Sequence, residues 1–276
     1  MKIPLTPLRC LRYARQQFPE RTAVVCGSER FSYAQFAERG GRLGGALLDL
    51  GIKRGDRVAF LSKNCHRLLE AYFGVLEAGA VLLPLNFRLT QHELAFILND
   101  SESRVLFFEK EFLPLIEQFL QSVPSLKRFV ALDSAPQADW MWPQSYDQLL
   151  AAATPYFADI MQIDEDSLAE LFYTSGTSAD PKGVMLTHRN IYLHALNGCL
   201  VSDPTREHVI LHTIPLFHAN GWGAAHSVTL VGGKHVMLRH WDCSEMFHLI
   251  QQERVTVRHC PDNGCRNREF SRATEV

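Results

Sequence analysis

The chain has 276 residues, 46% of them hydrophobic and 21% charged, the composition of a soluble globular protein long enough for one large domain or two small ones. A formal net charge of −2, with acids and bases interspersed, excludes the electrostatic footprint of a nucleic-acid binder. Seven cysteines without a repeating framework point to free thiols in a reducing, cytoplasmic setting.

Residues 1–18 carry two prolines and several arginines but no continuous apolar run, and read as a leader to the first strand rather than a secretory signal. Segments 21–26 and 30–33 flank Gly27-Ser28 as a hairpin. A helix over 34–50 stops at Gly51, a good C-cap residue. Strand 57–61, helix 68–76 and strand 80–85 follow, then helix 91–99, strand 104–108, helix 113–122 and strand 128–132. The Pro-, Ala- and Asp-rich stretch 134–143 reads as an exposed connection. Strand 168–174 and helix 188–200 come next, and the pattern repeats through 209–211, 219–230, 235–238 and 245–252. Strands alternating with helices imply an α/β class with largely parallel sheets covered by helices. The most apolar stretch, 72–85, is broken by Glu77, Gly79 and Pro84 and is too short to span a bilayer. Peripheral membrane contact stays open, as does the oligomeric state.

The most informative segment is Tyr173-Thr174-Ser175-Gly176-Thr177-Ser178-Ala179-Asp180-Pro181-Lys182-Gly183, expected between a strand and a helix. Four hydroxyl side chains in five positions, with a glycine among them, would gather donors around an anion. Backbone N–H groups in such a turn can also face phosphate oxygens. Lys182 adds a point charge and Pro181 stiffens the return. The order Pro-Lys-Gly differs from a Walker A loop, which needs Gly-Lys followed by Ser or Thr. Six histidines, at 208, 212, 218, 226, 235 and 240, lie close in sequence. His208 and His212 have the His-x-x-x-His spacing of a zinc site, but they span a strand that would hold them apart, so no metal site is expected.

The eleven-residue segment resembles the phosphate-binding signature of the adenylate-forming superfamily, roughly Tyr-Thr-Ser-Gly-Thr-Thr-Gly-x-Pro-Lys-Gly. Ser178 stands where the pattern has threonine and keeps the hydroxyl. Ala179 stands where it has glycine, so a positive φ there would cost about 1 kcal/mol. Residues 74–86 resemble the family's helix–strand core segment. Pro215-Leu216-Phe217-His218-Ala219-Asn220-Gly221-Trp222-Gly223 resembles the segment lining the acyl pocket of fatty-acid members.

The resemblance implies an AMP-forming acyl-CoA synthetase that uses ATP, Mg²⁺ and CoA to activate a small-molecule carboxylic acid, a medium- or long-chain fatty acid. Thr174, Ser175, Gly176, Thr177, Ser178 and Lys182 would surround the β- and γ-phosphates, with Lys182 and Thr177 in the catalytic roles. His218, Asn220, Gly221 and Trp222 would meet the acid, His218 at its carboxyl end and Trp222 at the pocket wall. A satisfied histidine at a strand end and a core tryptophan fit the same two residues. An aryl-acid ligase and a non-catalytic remnant that binds nucleotide weakly are the alternatives. The resemblance covers about residues 1–257. The family's Tyr-Gly-x-Thr-Glu segment, ribose-binding aspartate, hinge and mobile C-terminal domain with its catalytic lysine find no counterpart in the sequence, so the chain alone is expected to be inactive.

After Val257 the family pattern continues with an apolar segment containing Val-Pro-Thr, whereas residues 258–276 are polar and patternless, read as a divergent, disordered tail. Residues 259–267 have synonymous codons that, read one nucleotide later, encode Ile-Val-Pro-Thr-Met-Ala-Val-Ala. Asp262 followed by Asn263 permits only Ile or Thr in that frame. The expected cause is a frameshift near Val257–Arg258. Sequencing the gene across this junction should uncover the remaining family motifs in the shifted frame; a downstream frame without them contradicts it.

Overall fold

A computed structural model describes residues 3–134, 138–174 and 180–258, without the side chains of residues 219, 220, 222, 257 and 258. Helix α1 (Leu8–Gln17) leads into the hairpin β1 (Thr22–Cys26) and β2 (Glu29–Ser32). Then come α2 (Tyr33–Asp49), β3 (Arg57–Leu61), α3 (His66–Glu77), β4 (Val81–Pro84), α4 (Gln91–Asp100), β5 (Val105–Phe108), α5 (Leu113–Phe119), β6 (Arg128–Ala131) and α6 (Tyr146–Ala152). The remainder is β7 (Leu168–Thr174), β8 (Lys182–Thr187), α7 (His188–Ser202), β9 (Val209–His212), α8 (Ala219–Leu230), β10 (Lys234–Met237), α9 (Cys243–Glu253) and β11 (Val257–Arg258). No described helix is long and apolar enough to cross a membrane.

The strands form a six-stranded sheet, order β6-β5-β3-β4-β7-β8, and a five-stranded sheet, order β11-β9-β10-β1-β2. Pairing is parallel except for β7–β8 and β1–β2. Alternation along the strands divides the core. Val58 and Phe60 of β3 join α1, α2, α3, Val24 and Met237 in one cluster. Ala59 and Leu61 face α4 and α5, and Val25 and Val236 face α9. A layer of helices is thus shared between the two sheets, with α4 and α5 on the outer face of the six-stranded sheet and α9 on that of the five-stranded one. Val81–Pro84 is buried along its whole length, as a strand covered on both faces must be.

The expected helix and strand order holds, with Gly51 at φ +81° beyond α2. Four readings change. Residues 8–17 are a helix rather than a leader, because Leu8, Cys10, Leu11 and Ala14 make one buried face and Pro7 sits at its N-cap, where a missing N–H costs nothing. Within 134–143, Trp140 packs edge-on against Phe129 and Met141 is buried, so the described part of that connection is not simply exposed. Helix α6 went unread, although Ser145 and Gln148 form a capping box at its start. The phosphate segment joins β7 to β8, not a strand to a helix.

Two buried carboxyls in the shared layer have partners inside the protein, as low polarity demands. Glu70 of α3, fully buried, accepts from Arg39 of α2 at 2.6 Å and from the Tyr146 hydroxyl of α6 at 2.7 Å. Glu170 of β7 lies 2.9 Å from His226 Nε2 of α8, both fully buried, with Tyr72 and Phe73 edge-on to the imidazole. Replacing His226 by leucine should cost about 3–5 kcal/mol, because it leaves a buried carboxyl without that contact. The Glu170→Leu/His226→Leu pair should recover most of it in denaturant melts; a double variant as unstable as the single contradicts the pairing.

Burial drives three histidines below their ordinary value, His66 to about 3, His188 to about 4 and His235 well below it. Each stays neutral in the fold and gains a proton on unfolding below about pH 6.5. Their contribution is therefore complete above that pH and is lost as the pH falls towards 4. For His66 and His188 the expected loss between pH 6.5 and 5 is about 1.5 kcal/mol each, read as a falling urea midpoint. An unchanged midpoint contradicts the neutral assignment.

Candidate active site

Strand β8 exists because Lys182–Thr187 pairs antiparallel with β7, Tyr173 opposite Gly183 and Thr174 opposite Lys182. It is an edge strand, and Met185 is 70% exposed. The stalk of this hairpin is held from the side. The Tyr173 hydroxyl donates to Asp100 Oδ2 at 2.5 Å, at the end of α4, and burial together with that carboxylate pushes the phenol pKa up. The Tyr173 ring covers Gly183, where a Cβ would stand 3.3 Å from the ring and from Leu171. Asp100 carried no sequence signal for this role.

At the mouth of the hairpin, Thr174 ends β7 and Lys182 begins β8, both exposed and paired across the strands. Among the described residues Lys182 makes no ion pair. A hydroxyl and an ammonium group so placed can both donate to one anion. Ser175, Gly176, Thr177, Ser178 and Ala179 lie outside the described residues.

The second candidate segment leaves the carboxyl end of β9. His218 is exposed at a turn in which its N–H donates to Pro215 O at 3.0 Å and Gly221 N–H donates to His218 O at 2.8 Å. A Cβ on Gly221 would stand 2.3 Å from Pro215 O, so only glycine lets α8 start this close to the turn. Phe217 meets Phe87, just beyond β4, edge-on at 5.2 Å. The backbones of Asn220 and Trp222 lie in the first turn of α8. Thr174 and the His218 turn thus both follow carboxyl ends of strands, where open α/β sheets carry their ligands. The Glu170–His226 contact ties β7, which ends at Thr174, to α8, which begins after His218.

The other histidines go to separate tasks. His208 Nδ1 accepts from Thr205 N–H at 2.8 Å in the turn before β9. His212 and His235, on neighbouring strands, stack at 5.2 Å with Nε2 of the first 2.9 Å from Nδ1 of the second. Thr229 gives its one hydroxyl proton to Ala225 O at 2.6 Å, so His235 Nε2, 3.0 Å from Thr229 Oγ1, is the donor there. His235 Nδ1 then accepts, and His212 Nε2 carries a proton. Among the described residues no three His, Cys, Asp or Glu side chains converge as metal ligands.

The pattern of the AMP-binding enzyme family matches residues 11–263. A peroxisomal butyrate–CoA ligase of Arabidopsis thaliana is 35% identical over 94% of this chain and 47% of its own length. A long-chain-fatty-acid–CoA ligase of Thermus thermophilus is 38% identical over 80% of this chain and 42% of its own. Among solved structures, ATP-bound MatB of Rhodopseudomonas palustris superposes with a TM-score of 0.79 at 26% identity, covering 93% of this chain and 49% of that one. The chain spans about half the length of the curated relatives it matches. The chain therefore belongs to the AMP-binding enzyme family and corresponds to an N-terminal part of an adenylate-forming acyl-CoA ligase.

Proposed function

We propose that this chain carries the phosphate-holding and acid-holding walls of an ATP-dependent, AMP-forming fatty-acid–CoA ligase, and that it does not turn over alone. The observation that carries the reading is the pairing of Thr174 with Lys182, both exposed, across the mouth of the β7–β8 hairpin. Enzymes of the family use ATP and CoA. A carboxylate is a poor electrophile; attack of its oxygen on the α-phosphorus of ATP releases pyrophosphate and leaves an acyl group with a good leaving group. The CoA thiolate then takes the acyl carbon and AMP departs.

In this reading Thr174, Ser175, Gly176, Thr177 and Ser178 donate to the β- and γ-phosphates, and the Lys182 ammonium opposes the charge that gathers on departing pyrophosphate. Lys182 and Thr177 carry the catalytic load. Mg²⁺, when bound, adds charge neutralisation on the same phosphates. Catalysis is then mostly positioning and electrostatic stabilisation. His218, Asn220 and Gly221 meet the carboxyl end of the acid and Trp222 its chain. The Pro-Leu-Phe-His-Ala-Asn-Gly-Trp order favours a fatty acid over an amino acid.

With ATP, Mg²⁺ and fatty acids, the purified chain is expected to release no pyrophosphate above background while still binding ATP. Acid-dependent pyrophosphate release refutes the claim of inactivity, and an absence of ATP binding refutes the claim of a working phosphate wall.

A further inference from the structure

The backbone from the last residue of β9 to the start of α8 is met by side chains that follow β3 of the other sheet. Asn64, in the loop between β3 and α3 and only 5% exposed, donates through Nδ2 to His212 O and to Ile214 O, both at 2.9 Å. Its Oδ1 accepts from Leu216 N–H at 2.8 Å. Tyr72 of α3, fully buried, donates its hydroxyl to Leu216 O at 2.6 Å. The amide orientation is fixed by chemistry, because the flipped amide would set an oxygen against two carbonyl oxygens. Two donors and an acceptor at one rigid planar group hold positions 212, 214 and 216 at once. His218 follows two residues later, in a turn closed by Pro215 O.

We propose that Asn64 is a positioning residue: it fixes the backbone that presents His218, and through it the acid-binding turn. The second clause rests on the function proposed above. Nothing in Asn64 touches the acid in this scheme. It replaces the sheet or helix pairing that an irregular segment lacks, and it does so from the six-stranded sheet. The acid-holding turn of one sheet is thereby set in register with the strand ends of the other. Leucine or alanine at 64 would leave buried carbonyl groups and an N–H without these contacts, and aspartate would turn two attractions into repulsions.

The test uses Asn64→Asp and Asn64→Ala, with Thr229→Val as a control that removes a buried hydrogen bond to His235 outside the turn. In chains carrying ¹³C-labelled histidine, the His218 ring resonance, assigned by its loss in His218→Gln, reports its position. Octanoate binding is followed by tryptophan fluorescence, and melting temperature by calorimetry. Both Asn64 variants should move the His218 resonance and weaken octanoate binding about tenfold or more. Thr229→Val should lower the melting temperature and leave both unchanged. An Asn64→Ala protein that folds with His218 at its original resonance overturns the proposal, as does a displacement of His218 equal to that in Thr229→Val. If His218 moves in both Asn64 variants but octanoate fails to bind even the unaltered chain, the positioning role stands and the acid-binding reading falls.

Discussion

The helix layer shared by the two sheets is the constraint on which the rest of this structure depends. Helices α2 and α3 pack between the two sheets, and several buried polar groups in and around that layer find partners inside the protein. Glu70 meets Arg39 and Tyr146, Glu170 meets His226, and Asn64 meets three backbone groups. Such pairs add little net stability compared with well-packed apolar groups. They do penalise any arrangement in which the two sheets slide relative to each other, because each shift would strand a carboxyl or a carbonyl. The layer therefore behaves as a register device as well as a core.

In the proposed function, the site lies at the ends of that layer. Parallel strands deliver their carboxyl ends to one edge of a sheet, and β7 and β9 deliver there a hydroxyl–ammonium pair and a histidine turn. The hairpin mouth can remain exposed because its stalk is fixed lower down, by Tyr173 on Asp100 and by the tyrosine ring over Gly183. These contacts lie at the base of the hairpin.

Much of this was legible in the residues. The strand at 57–61, the helix at 219–230 and the strand at 168–174 follow directly from apolar runs and their period, since burial on one or both faces leaves a pattern. Helix α1 was hidden because prolines and arginines mask a four-residue apolar face, and β8 because a strand followed at once by a helix gives no separate period. Thr174 and Lys182 stand out in the sequence within a motif that concentrates donors, and the structure pairs them across β7 and β8. Asn64, Asp100 and the Glu170–His226 pair were not, because their partners lie between 56 and 152 residues away in the chain, and a lone polar residue in an apolar stretch does not say what it will meet.

The central claim is that the β7–β8 hairpin is a phosphate cradle whose charge comes from Lys182. The most direct measurement is ATP·Mg²⁺ affinity by calorimetry for the unaltered chain and for Lys182→Ala. Lys182 is exposed and free of ion pairs among the described residues, so its removal should leave the fold intact. The account predicts measurable binding that weakens about tenfold or more in the variant; equal affinity in the two proteins would contradict it.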